Sequence, residues 1–291
     1  MNALAPILSA ALVSGSLYAL LASGLSFVWG TVRIFNFAQG ALLMIGAYVA
    51  WYVTDPSRAG AGLGAGFTAA LFALAFGGAV LYLAIVRPFI GRANSDLMVI
   101  MTTLAAATFF ENGADWVAGP RYKNLPRLAT GNIQFSNTAV SMQELIIIIL
   151  GPSLLLAFAV FLKRAKLGMA IRAVEQNRDA AFLVGIDIRN IYVIVFAVSA
   201  VLAAVAGVLY GGEYFITPTM GDDPLLKAFI VVVFGGLGSL PGTVVGAYMI
   251  ALIESVSRYY IGLYYTPPIL FGVLIAVMLV RPTGLLGRAY Q

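Results

Sequence analysis

The chain has 291 residues, of which 61% are apolar and only 10% charged, and its mean hydropathy is +0.96. Soluble domains run about 45–50% apolar and about 25% charged, so the polar surface is too small to wrap a water-soluble core, and lipid is the solvent to reason from. With no His and no Cys, thiolate nucleophiles, disulfides, Cys or His zinc sites, His-held haem and a Ser-His triad are excluded, and a net charge of +5 offers no basic face for nucleic acid.

The start, Met1-Asn2-Ala3, lacks the Lys or Arg of a secretory leader, so the first apolar run is expected to remain as structure. From Ala5 to Gly30 the chain is uncharged, long enough at about 1.5 Å per residue to cross a hydrocarbon core of about 30 Å. After Arg33, the segment Asn36-Phe37-Ala38-Gln39-Gly40 opens a second span, Phe37 to Val53. A glycine-rich entry begins a third, Gly62 to Val86, and a fourth runs from Leu97 to about Glu111. Pro120 to Val140 is the longest loop, and Leu145 to Leu162 is a fifth span that stops at Lys163-Arg164.

Gly168 to Gly185 differs from everything around it. Arg172, Glu175, Arg178 and Asp179 balance one another, and Ile171, Val174, Phe182 and Leu183 lean to one side at helical spacing. Two short surface helices are predicted, with Asn177 capping the second, Asp179 in its first turn and Gly185 ending it. A lipid-anchoring helix would be dominated by Lys and Arg, so mixed charge points to a protein groove, the other reading being a solvated loop.

Span six, Ile188 to Tyr210, carries Ser199, Ala203, Gly207 and Gly211 at four-residue spacing, a stripe that admits a neighbouring helix closely. Span seven, Leu225 to Phe234, is short or broken, because it meets Gly235-Gly236-Leu237-Gly238-Ser239-Leu240-Pro241-Gly242, a break tolerated at membrane depth only inside protein or facing water. Spans eight and nine are Thr243 to Ser257 and Thr266 to Val280. The expectation is an all-α polytopic bundle of about nine spans, eight if the seventh is re-entrant, forming one membrane domain over residues 1–291 with a coupling segment at 168–185. Lys and Arg in short loops place that segment and the C-terminus in the cytoplasm.

The chain contains no phosphate-binding Gly-x-x-x-x-Gly-Lys-Ser/Thr loop and no Gly-x-Ser-x-Gly elbow. Glu254 lies deep in its run, where a carboxylate either pairs with a donor on a neighbouring helix or lines a cavity. Asn36 and Gln39 either cap the entry to span two or touch a polar solute. Gly235, Gly236, Gly238 and Ser239 form either a close-packed turn or a flexible gate.

Several segments together resemble one family. They are Asn36-Phe37-Ala38-Gln39-Gly40, Leu167-Gly168-x-Ala170-x-Arg172-Ala173 with Gly185-Ile186, Ala203-Ala204-Val205-Ala206-Gly207, and Lys227-Ala228-Phe229 ahead of the Gly235 to Gly242 break. Over nearly its whole length the chain resembles the permease subunits of branched-chain amino acid ABC importers, of the LivH type. Asp179-Ala180-Ala181-x-x-x-Gly185 is similar to the Glu-Ala-Ala-x-x-x-Gly loop of importers, with Asp for Glu. The resemblance implies a second, LivM-like permease chain, two ATP-binding subunits that hold ATP and Mg, an extracytoplasmic solute-binding protein and a cell inner-membrane location, with no cofactor in this chain. It also implies that Gly168, Arg172, Glu175, Arg178, Asp179 and Gly185 form the element that couples to the ATPase. Urea or short-amide import, an intramembrane enzyme using Glu254 or Glu213 with an arginine, and a stand-alone channel lined by the glycine-rich break are the competing readings.

Overall fold

In the bilayer no water is at hand for an exposed N–H or C=O, so a chain of this composition satisfies its backbone within helices. The computed structural model describes residues 4–92, 94–129, 131–135 and 138–287. Its helices follow the apolar runs: α1 Leu4–Val32, α2 Gln39–Thr54, α3 Gly62–Leu81, α4 Ser95–Ala118, α5 Met142–Arg164, α6 Lys166–Gln176, α7 Arg178–Leu183, α8 Ile188–Glu213, α9 Asp222–Gly235, α10 Leu240–Tyr260 and α11 Thr266–Val280. A π-helical turn, Tyr82–Val86, and a 3-10 turn, Arg87–Phe89, prolong α3. Among the described residues seven helices are long and apolar enough to cross a membrane, whereas α2 has 16 residues and α9 has 14. By length and composition seven helices therefore qualify, and the two that fall short, α2 and α9, are the second and seventh of the expected spans.

The longest loop also holds a feature that helix counting passed over. Strands β1 Asn132–Phe135 and β2 Thr138–Ser141 pair antiparallel, Asn132 opposite Ser141. Ser141 then starts α5 with a capping box, its hydroxyl accepting from the Glu144 N–H while the Glu144 carboxylate accepts from the Ser141 N–H at 2.9 Å.

Helices α1 and α8 form the centre. Of their most apolar stretches 61% and 72% are buried inside the chain, against 22% for α4, 22% for α5 and 17% for the Leu263–Val280 run that contains α11, whose remaining apolar surface is exposed. Small residues set the spacing at the centre: a Cβ on Gly207 would strike the carbonyl oxygen of Leu43, so α2 lies directly on α8 along the predicted stripe.

The two short helices start inside the protein. Arg33, at φ +65°, turns the chain back after α1, residues 34–38 are not helical, and the Gln39 side chain at the start of α2 reaches Ser199 on α8. Ser199 lies 11 positions into α8, about 17 Å from its beginning at about 1.5 Å per residue. Likewise α8 ends at Glu213, the chain doubles back, and Gly221 at the start of α9 rests against the Gly40 backbone. Irregular backbone at that depth is satisfied internally: Phe37 N–H donates to Thr103 Oγ1, Ala38 N–H to Asn36 Oδ1 and Asp222 N–H to Thr219 O.

The bundle has two distinct ends. At one, Gly30 near the close of α1 lies beside Glu175 of α6 and the Gly238 turn between α9 and α10. At the other, the α8 C-terminus, the α9 N-terminus and the α10 C-terminus converge on the first half of α1.

Candidate functional site

The surface pair forms as its spacing predicts. Asn177 separates α6 from α7, its Oδ1 accepting from the Ala180 N–H at 2.9 Å, and Gly185 closes the motif at φ +84° with its N–H on Phe182 O. Gly168 lies where a side chain would strike the backbone of Leu162, so it permits the tight corner between α5 and α6. Of the four charged residues, Arg172 donates to the Lys163 carbonyl at 3.2 Å, Glu175 packs beside Gly30, Arg178 lies over the Tyr192 ring at 5.6 Å, and Asp179 is exposed in the first turn of α7.

The apolar side of this pair divides differently from its sequence reading. Ile171 and Val174 are buried against the bundle, but Phe182, Leu183 and Val184 are 68%, 84% and 77% exposed. α7 has only six residues, and the bend at Asn177 turns its end away from the face that α6 buries. The result is an apolar tip flanked by charge.

Asn36 bonds within the entry to α2, its Oδ1 accepting from the Ala38 N–H at 3.1 Å and its Nδ2 donating to Gln39 Oε1 at 3.4 Å, while Ala38 at the cap position makes no side-chain bond of its own. Gln39, with Ser199, knits three helices together. Gln39 Nε2 donates to Ser199 O at 3.1 Å, Ser199 Oγ bonds Gln39 Oε1 at 3.1 Å and Gly24 O at 2.9 Å, and both amides are buried. Beside this knot Trp29, Phe35, Phe37 and Phe229 form an aromatic cluster, Trp29 stacked on Phe35 at 4.1 Å and Phe35 against Phe229 at 5.1 Å.

The glycine break is tightly packed. A side chain on Gly235 would strike the Gly242 backbone, and Gly236 has φ +108° with Gly287 and Thr283 behind it. Leu285 and Leu286 N–H groups bond the carbonyls of Phe234 and Gly235, clasping the turn. Gly238 has φ +77°, and Ser239 caps α10 through the Gly242 N–H.

Glu254 is paired with cations on α9 and on its own helix. It is 2% exposed and accepts from Lys227 Nζ at 2.8 Å, Arg258 at 2.6 Å and Tyr18 Oη at 2.8 Å. Lys227, itself 6% exposed, also reaches Asp223 at 2.6 Å. Asp223, Lys227, Glu254 and Arg258 thus form a chain of alternating charge across α9 and α10, sealed on the α1 side by Tyr18. Glu254 lies six positions from the close of α10, about 9 Å from that end of the bundle. Beside it a cavity of about 60 Å³ is lined by Ser14, Leu17, Tyr18, Tyr210, Tyr214, Asp223, Lys227 and Arg258.

Sequence reasoning assigned no role to Lys227, Asp223, Arg258 or Tyr18. The signal was present as two i,i+4 pairs of opposite charge, Asp223 with Lys227 and Glu254 with Arg258, and as a lysine inside an apolar run.

Residues 7–281 match the family model described as branched-chain amino acid transport system / permease component. The chain is 32% identical to the high-affinity branched-chain amino acid transport system permease protein BraD of Pseudomonas aeruginosa, over 95% of this chain and 94% of that one. It is 34% identical to LivH of Escherichia coli, over 94% and 92%. Among solved structures it is similar to PsaBC from Streptococcus pneumoniae in complex with Fab, at 14% identity and a TM-score of 0.49 over 96% of this chain and 91% of that one. On the family model and the identity to BraD and LivH together, the chain belongs to the permease components of branched-chain amino acid transport systems.

Proposed function

We propose that this chain is one of two permease subunits of an ATP-driven importer, and that it lets branched-chain amino acids delivered by an extracytoplasmic binding protein cross the inner membrane. The second permease is LivM-like, and two cytoplasmic subunits bind ATP and Mg and carry out the hydrolysis. The observation that carries the mechanism is the exposed tip, Phe182, Leu183 and Val184, held at the end of a capped helix pair. So large an apolar surface at a polar end of a membrane protein fits a cleft on another protein. Arg33, Arg87, Arg92, Lys163, Arg164, Lys166, Arg172, Arg178, Arg189 and Arg281 lie in the segments reaching that same end, which supports a cytoplasmic placement.

In this reading Gly168, Arg172, Glu175, Arg178, Asp179 and Gly185 shape the coupling element. Closure of the ATP-binding subunits pushes on α7, and α6 transmits the push to α1 through the packing of Glu175 beside Gly30 and to the turn at Gly238. Asn36, Gln39, the glycine turn with Ser239, and Glu254 lie along the helices that must shift for the route to open. The aromatic cluster of Phe35, Phe37 and Phe229 closes an apolar constriction between the two bundle ends.

The test is reconstitution in liposomes. Leucine uptake is expected only when both permease chains, the ATP-binding subunits, ATP and the loaded binding protein are all present. Uptake by this chain alone refutes the reading, and so does a chain carrying Leu183→Asp that still co-purifies with the ATP-binding subunits and transports normally.

A further inference from the structure

The charge chain between α9 and α10 has two kinds of member. Lys227 and Glu254 are buried, with side chains 8% and 2% exposed, and they satisfy each other. The terminal members are open: the Asp223 side chain is 62% exposed and the Arg258 side chain 44%. Asp223 gives one oxygen to Lys227, and Arg258 gives one N–H group to Glu254. Each terminal group therefore keeps bonding capacity, an acceptor on Asp223 and several donors on Arg258, and both line the same cavity.

Opposite charges, each paired on one side and with bonding capacity left on the other, face one small cavity and select a ligand that carries both. We infer that this cavity binds the zwitterionic head of an α-amino acid, its ammonium on Asp223 and its carboxylate on Arg258. The ligand closes the alternating chain into a ring, every charge then lying between two of opposite sign. The Arg258 guanidinium presents a planar fork that fits a carboxylate. One water needs about 10–15 Å³ of cavity, so about 60 Å³ seats the few heavy atoms of such a head. The rings of Tyr210 and Tyr214, 4.5 Å apart, and Leu17 supply the apolar wall for the side chain. An uncharged amide can hydrogen-bond both terminal groups but brings no opposite charge to either, so this geometry favours amino acids over urea.

The site lies at the mouth of one end of the bundle, with Arg258 two positions, about 3 Å, from the close of α10 and Asp223 in the first turn of α9, opposite the end that holds α6 and α7. It rests on the transport reading above, in which it is the first station a solute meets after release from the binding protein. There it accepts any small apolar amino acid, since head and not side chain is recognised by charge.

The test uses the full importer in liposomes with saturating leucine-loaded binding protein, measuring leucine uptake and ATP hydrolysis in parallel. Arg258→Gln and Asp223→Asn are each expected to lower uptake by about tenfold or more, as loss of one member of a charge pair does, with a much smaller fall in hydrolysis, and Arg258→Lys is expected to recover most of the uptake. Unchanged uptake in both neutral variants overturns the proposal. So does an equal loss of uptake and hydrolysis that Arg258→Lys shares, which is the mark of a structural brace. If Arg258→Gln does not assemble, Asp223→Asn decides, because its side chain is largely exposed. Failure of the unaltered importer to move leucine counts against the transport reading, whereas failure of these variants to differ from it counts against the site alone.

Discussion

Replacing Glu254 by Leu removes the acceptor shared by Lys227, Arg258 and Tyr18 while keeping nearly the same volume. The bond from Tyr18 to a charged partner is worth about 1.5–3 kcal/mol. Arg258, its side chain 44% exposed, adds about 1 kcal/mol or less. Lys227 keeps Asp223 but loses its only buried counter-charge, so the total falls at about 3–5 kcal/mol, the range for breaking a buried pair. Removing the rest of the network should restore most of this: the triple variant Glu254→Leu, Lys227→Met, Tyr18→Phe leaves no buried member of this network without a partner, and is expected within about 1–2 kcal/mol of the original chain. The assay is unfolding of the purified chain in mixed micelles titrated with a denaturing detergent. A triple variant as unstable as Glu254→Leu alone refutes the reasoning, because the loss then comes from packing and not from stranded charge.

Gly207→Ala drives a methyl group into the Leu43 carbonyl, whose backbone cannot move aside, and is expected to cost about 1–3 kcal/mol in the same assay; stability equal to the original would show that α2 and α8 separate freely. Gln39→Leu removes both bonds between Gln39 and Ser199 and leaves the buried Asn36 Nδ2 without its acceptor, with an expected loss of about 1–3 kcal/mol. If that variant is as stable as the original, the knot does not hold α2 in place. Leu183→Asp, at a position 84% exposed, is expected to change stability by less than about 0.5 kcal/mol while abolishing co-purification of the ATP-binding subunits, and both measurements are made on one preparation.

Much of the fold is written in uncharged runs, because a helix is the only way for such a segment to satisfy its backbone in lipid. The described helices therefore overlap every predicted span. What stayed hidden depends on contacts distant in sequence. Whether Gln39 caps its own helix or binds Ser199 is decided by a residue 160 positions away, and no local spacing reports that. Lys227 meets Glu254 across 27 positions, so an isolated lysine in an apolar run gave no hint of its partner. The exposure of Phe182 and Leu183 follows from the bend at Asn177, and a helical projection carried through that bend puts them on the wrong side. The short strands at Asn132 and Thr138 were lost in a loop whose charge, not its alternation, drew attention.

The hairpin of α9 and α10 is stitched twice, at Gly235 on Gly242 and at Lys227 on Glu254. It therefore tilts as one paddle and does not open like scissors. Helix α10 has 21 residues and is about 31 Å long, so tilting the paddle by about 5° about its clasped end carries the other end through about 3 Å. Two side-chain bonds tie the paddle to α1 among the described residues, Tyr18 to Glu254 at 2.8 Å and Ser16 with Tyr248 at 3.0 Å, so a tilt would have to break or stretch both, and those two tyrosine hydroxyls are the places to watch for it.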